Sequence, residues 1–201
     1  MITKSSPKVS WATSKSPTGP FEWNKSIYPN RHWVGDLTVF VDPVSFTDAY
    51  LIYSVRPGAP DKHVRDIIVT KLTANWLDVE SAVVSEITDA REGPAAFYAD
   101  GVGYFIWTSH VTGWNPNAAA VYHSKSLAGP WTAIGNPTGS NTSFSSQSTY
   151  IQQVNATTFV YIADRFEPYI KNKVDPRYVW LPITGITETS LTVKWEDEWS
   201  L

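Results

Sequence analysis

Ser14-Lys15-Ser16-Pro17-Thr18-Gly19-Pro20-Phe21 recurs as Ser124-Lys125-Ser126-Leu127-Ala128-Gly129-Pro130-Trp131, an offset of 110 residues. A second pattern divides that interval in half. An apolar strand, a turn and an aromatic strand occur at residues 37–42 and 49–54, again at 95–100 and 103–108, and again at 148–154 and 158–163. Aligned on Leu51, Phe105 and Val160, these copies step by 54 and 55 residues. Two independent repeats therefore agree on one period of about 55 residues.

Each copy is apolar over short runs bounded by Gly, Pro, Asp or Asn, which is strand chemistry. Four short strands in such a unit make a β-propeller blade. A β-sandwich would leave the period unexplained. Helical competition is weak: residues 78–87 carry apolar side chains at 79, 82, 83, 84 and 87, enough for one or two turns. The chain reads as a single all-β domain over residues 1–201, about 3.7 units long. That length fits a four-bladed ring or a larger propeller without its beginning. Residues 8–12 already read as a strand, and residues 1–7 hold no apolar signal segment.

Composition agrees. The chain has 201 residues, with ten Trp, ten Tyr, eight Phe, fourteen Pro, one Met and no Cys. Flat rings on short strands suit the stacking of sugar faces. Lys+Arg 16 against Asp+Glu 19 gives a net charge of -3, which argues against a nucleic-acid or polybasic membrane surface. No apolar run approaches the ~18 residues a membrane helix needs. Absence of Cys excludes a disulfide scaffold and a thiolate nucleophile or metal site. The four His residues show no metal-ligand spacing, so neither metal nor cofactor is expected.

In a propeller the innermost strands line the central channel, so residues just before them collect on one face. Those residues are Asp36 (after Gly35), Glu92 (before Gly93-Pro94) and Gln147 (between Ser146 and Ser148). We expect them at matching places in three consecutive blades. Carboxyl groups in such positions are commonly solvated turn residues. Two facing across a channel can instead do acid–base work on a glycosidic bond. Glu92 is the better acid, because it leads into Ala95-Ala96-Phe97-Tyr98, and apolar surroundings raise a carboxyl pKa. Asp36 would help hold that proton by like-charge repulsion. The loop Thr112-Gly113-Trp114-Asn115-Pro116-Asn117 displays Trp114 as a candidate sugar platform, with Thr112 and Asn115 beside it. Packing between blades is the alternative for Trp114. Trp76, Trp131 and Trp180 are expected in the core.

Arg91-Glu92-Gly93-Pro94-Ala95-Ala96-Phe97, followed by Gly103-Tyr-Phe-Ile-Trp-Thr-Ser-His-Val-Thr-Gly-Trp-Asn-Pro-Asn117, resembles glycoside hydrolase family 43, and within it the exo-β-1,3-galactanase branch. Ser146-Gln147-Ser148-Thr149-Tyr150, Tyr161-Ile-Ala-Asp-Arg-Phe166, Asp175-Pro-Arg-Tyr-Val-Trp-Leu-Pro182 and Val193-Lys-Trp-Glu-Asp-Glu-Trp199 extend the resemblance from about residue 9 to 201. It implies a five-bladed propeller, here N-terminally truncated to about four blades and lacking the first blade with its sugar-contacting carboxylate. It implies inverting hydrolysis of β-1,3-galactan, with Glu92 as general acid and Asp36 as modulator of its pKa. Gln147 would orient water where the family usually has an Asp base; substrate hydrogen bonding is its simpler role. An extracellular location and a carbohydrate partner, β-1,3-galactan or galactose, follow from the same resemblance. Gly93 stands where the family usually has Ala, which we read as a small change in local stiffness. The second functional reading is a non-catalytic galactose-binding or interaction protein. In either case an open propeller edge invites self-association.

Overall fold

The computed structural model describes residues 7–56, 65–113, 115–165 and 177–200. Strands β1 (Val9–Thr13) and β2 (Glu22–Ile27) form a two-stranded antiparallel sheet. Three four-stranded meanders follow. The first holds β3 (Val34–Val41), β4 (Ala49–Val55), β5 (Ile67–Leu72) and β6 (Val79–Ile87). The second holds β7 (Arg91–Ala99), β8 (Gly103–His110), β9 (Ala120–Ser124) and β10 (Thr132–Gly135). The third holds β11 (Ser146–Gln153), β12 (Phe159–Arg165), β13 (Arg177–Thr187) and β14 (Ser190–Val193).

The repeated octapeptide closes the same turn twice. Gly19 N–H donates to the Ser16 carbonyl at 3.0 Å, and Gly129 N–H donates to the Ser126 carbonyl at 2.9 Å. Both glycines have left-handed φ, +86° and +74°, a conformation that costs glycine no steric strain. Because the second turn joins β9 to β10, β1 and β2 correspond to the outer pair of a blade. The described chain is thus three full blades preceded by the outer half of another.

Blades stack face to face through three apolar clusters. Val9 of β1 packs with Leu51, Tyr53 and Ile68 of the first full blade. The opposite face of that blade brings Ile52, Ile67 and Val69 against Ala96, Ile106 and Tyr122 of the second. The second and third blades share the largest cluster. There Phe97 stacks on Phe105 at 4.7 Å and Trp107 stacks on Tyr161 at 4.3 Å between ring centres. Each such ring, fully buried, contributes roughly 1.5–3 kcal/mol, so these seams fix how neighbouring blades sit. The innermost strands β3, β7 and β11 lie side by side. Val39, Val41, Ala96, Tyr98, Tyr150 and Gln152 line a cavity of about 190 Å³ between them.

Three expectations need correction. Residues 79–87 form strand β6, paired with β5, and not helical turns. Two register shifts break its two-residue alternation and leave apolar side chains at spacings that mimic a helix. Trp180 is 59% exposed and Trp76 is 41% exposed, so neither is a core residue. Trp180 lies on the face of the third blade turned away from the shared cluster, because its cross-strand partner is Ile162 and not Tyr161. Trp131 does pack against a core cluster, and its indole N–H donates to Ser85 Oγ at 2.9 Å.

Candidate active site

The site is built around a break in strand pairing. Along β7 and β8, Glu92 pairs with Ser109 and the next pair is Ala95 with Trp107. Gly93 and Pro94 therefore share one opposite residue, Thr108, in a β-bulge. Residues of a bulge lose their ladder partners, so their backbone groups are free for other use. Pro94 has no N–H to satisfy. The Gly93 N–H donates to Asp36 Oδ2 at 3.1 Å, and the Gly93 carbonyl accepts from Ser148 Oγ at 2.6 Å. Gly93 has φ +60°, and a Cβ there would stand 3.0 Å from both Cγ and Nε2 of Gln147. One residue thus receives contacts from β3 and β11, the inner strands of both flanking blades.

Asp36 is held by a matching device. Val34 pairs with Val55 and the next pair is Leu37 with Tyr53, so Gly35 and Asp36 face Ser54 together. The Ser54 hydroxyl accepts the Asp36 N–H at 3.1 Å, and a Cβ on Gly35 would come within 2.4 Å of that oxygen. The two bulges superpose Val34 on Glu92 and Asp36 on Pro94. The expectation of equivalent places is corrected by this register. Gln147 pairs with Asp164, with the bulge of its own strand further on at Thr149. Asp36, Glu92 and Gln147 do meet, but from non-equivalent positions.

The Glu92 side chain is 14% exposed. Burial, and next the negative charge of Asp36, raise its carboxyl above the ordinary glutamate value. The positive charges of Arg65 and Arg56 and a hydrogen bond from Gln147 pull the other way. Arg65 Nη1 lies 3.3 Å from Glu92 Oε2. The neighbouring Arg91 points elsewhere and is buried, its Nε donating to Thr108 Oγ1 at 2.9 Å. The Thr108 hydroxyl donates in turn to the Ala120 carbonyl at 3.0 Å, tying the strand that carries Glu92 through β8 to β9. The result is a carboxyl biased toward its protonated form beside an amide side chain. That is an arrangement able to deliver a proton and to orient a water.

The loop after β8 begins two residues beyond Ser109, the strand partner of Glu92. Thr112 Oγ1 donates to the Asn115 carbonyl at 2.6 Å, and Asn115 Nδ2 donates to the Thr112 carbonyl at 3.2 Å. Both residues are exposed, and Asn117 Nδ2 braces the loop by donating to Thr112 Oγ1 at 2.7 Å. Trp114 lies outside the described residues. Sequence reasoning missed Arg65, Arg56, Ser54 and Ser148. The two serines are signalled by their place opposite or beside a glycine at each bulge; the arginines flank a long connection between β4 and β5 that carries no motif. Among the described residues no cluster of His, Cys, Asp and Glu is arranged to hold a metal ion.

Comparison with known proteins gives the site a context. Residues 3–199 match glycosyl hydrolases family 43. A family 43 β-1,3-galactosidase solved with galactodeoxynojirimycin superposes with a TM-score of 0.84 at 24% identity, over 98% of this chain and 69% of that one. An exo-β-1,3-galactanase from Clostridium thermocellum gives 0.81 at 29% identity, over 96% of this chain and 43% of that one. The exo-β-1,3-galactanase of Phanerochaete chrysosporium, solved with galactose, gives 0.81 at 29% identity, over 94% and 42%. The chain therefore spans less than half the length of these two galactanases. No curated protein sequence gives a significant match.

Proposed function

The chain belongs to glycosyl hydrolases family 43, and from that footing we propose that it removes galactose from the end of β-1,3-galactan with inversion at the anomeric carbon. The observation that carries this reading is the Glu92 carboxyl, buried beside Asp36 on a bulge whose glycine touches Gln147. Protonated Glu92 gives its proton to the glycosidic oxygen as the bond to the anomeric carbon breaks, and the leaving sugar departs as an alcohol. Water attacks the opposite face of the sugar, and its proton passes to solvent. Gln147 acts by orienting that water, since a neutral carboxamide is too weak a base to take the proton. Burial, and after it like-charge repulsion from Asp36, favour the protonated form of Glu92, and the hydrogen bond Asp36 accepts from Gly93 fixes the bulge. Thr112, Asn115 and Trp114 are the proposed sugar contacts on the adjoining loop. A polymeric substrate of this size does not cross membranes unaided, which goes with an extracellular site of action.

The test is incubation of the chain with β-1,3-galactan, followed by proton NMR of the product. Galactose appearing first as the α-anomer supports the proposal. Galactose binding without any release supports the second reading, a non-catalytic binding protein. The apolar inner strand β3 and the edge of β1 that has no strand partner among the described residues also suit pairing with a second copy of the chain.

A further inference from the structure

We propose that Arg65 is a positioning residue: it orients the Glu92 carboxyl and receives the carboxylate left when the proton departs. The inference rests on the acid role of Glu92 given above, and it concerns how that role is set. Arg65 sits between two blades. Its N–H donates to the Val55 carbonyl at the end of β4, and its own carbonyl accepts the Arg91 N–H at the start of β7, both at 2.8 Å. This clamp holds Arg65 at φ +72°, a left-handed backbone that is strained for a residue with a Cβ. The strain delivers the guanidinium to within 3.3 Å of Glu92 Oε2, one residue along from the clamped Arg91.

The guanidinium thus faces Oε2 of a carboxyl that also accepts a hydrogen bond from Gln147, so both neighbours fix how Glu92 is presented. When the O–H bond of Glu92 breaks and a new O–H bond forms on the glycosidic oxygen, negative charge develops on a group that burial disfavours. Arg65 is already in place to stabilise it, without reorganisation. The other groups facing Glu92 are accounted for. Asp36 from β3 opposes ionisation, while Arg56 just after β4 and the uncharged Gln147 from β11 favour it. Ser109 is its neutral partner across β8. Arg91 is turned to Thr108.

The experiment compares the chain with Arg65→Met and Arg65→Lys, using glutamate labelled at Cδ with carbon-13. The Glu92 signal is assigned by its loss in Glu92→Gln. The carboxyl titration midpoint is expected to rise by on the order of one pH unit in Arg65→Met, and by less in Arg65→Lys, which keeps a cation. On β-1,3-galactan the alkaline limb of the rate should move up in pH with that midpoint. At pH values below the limb kcat should fall while KM holds, because a weaker acid transfers its proton less readily. Arg65→Gln replaces the Met variant if that chain does not fold. An unchanged Glu92 midpoint in the uncharged variants overturns the proposal. A shifted midpoint in a chain that releases no galactose leaves this proposal standing and removes the galactanase reading.

Discussion

At Gly93 the backbone does work that elsewhere falls to side chains. Its N–H and carbonyl serve Asp36 and Ser148, and its missing Cβ is the space into which Gln147 packs. Substitution by Ala is therefore no small change in stiffness, which is what the sequence suggested. A side chain at φ +60° costs roughly 1–2 kcal/mol, and the new methyl would also press on Gln147 at 3.0 Å. Gly93→Ala should lower the unfolding free energy by about that amount, measured by urea titration, and should reduce galactose release by roughly tenfold or more as Gln147 is displaced. Wild-type stability and turnover in this variant would refute the account of the bulge. Glu92 could be singled out as a candidate from the sequence because it leads into an apolar run within a repeat; in the structure it lies inside β7, one residue from its start. Asp36 does lie against the Gly93 N–H, but not from the equivalent place the repeat suggested, since the register sets it opposite Pro94 and not Glu92. Arg65 was not legible at all. Its position depends on hydrogen bonds to Val55 and Arg91 across two blades, and nothing local in Asp61-Lys62-His63-Val64-Arg65 announces them.

At the scale of elements, inner hairpins were the readable part. β3–β4, β7–β8 and β11–β12 fall where the 55-residue period placed them; β4, β8 and β12 carry apolar runs bounded by turn residues, while the mostly polar β11 is located by the period alone. Outer strands were less readable. β6 lies at the rim of its blade and tolerates the bulges that blurred its alternation into a helix-like pattern. Bulges also explain the site. A regular ladder would have used the Gly93 backbone groups for pairing within its own blade, leaving Asp36 and Ser148 nothing there to hold. The tight turn of the octapeptide was the most legible element, since its form follows from one glycine at a left-handed position.

For the molecule as a whole, the decisive feature is an apolar face exposed among the described residues. Leu37, Val39 and Val41 of β3 are 45%, 46% and 43% exposed, although their cross-strand partners Tyr53, Leu51 and Ala49 are buried. The two-stranded sheet and Pro7 reach the inner strand only at Val34, whose N–H donates to the Pro7 carbonyl at 3.2 Å, and leave Leu37, Val39 and Val41 exposed. Tyr178 and Trp180 stand exposed on the unshared face of the third blade. Apolar surfaces of this kind, beside a strand edge without a partner among the described residues, favour association. Sedimentation velocity should reveal concentration-dependent self-association that Val39→Lys with Trp180→Lys abolishes; a monomer at every concentration would argue against it. The central claim, that Glu92 gives the proton to the leaving sugar, is a claim about turnover by the whole chain, and leaving-group dependence tests it most directly. A natural β-1,3-galactan needs that proton, whereas a 2,4-dinitrophenyl β-galactoside departs without it. Glu92→Gln should slow release from β-1,3-galactan by about 10²–10⁴-fold and affect the dinitrophenyl substrate far less. Equal losses on the two substrates, or no loss on either, would contradict the assignment.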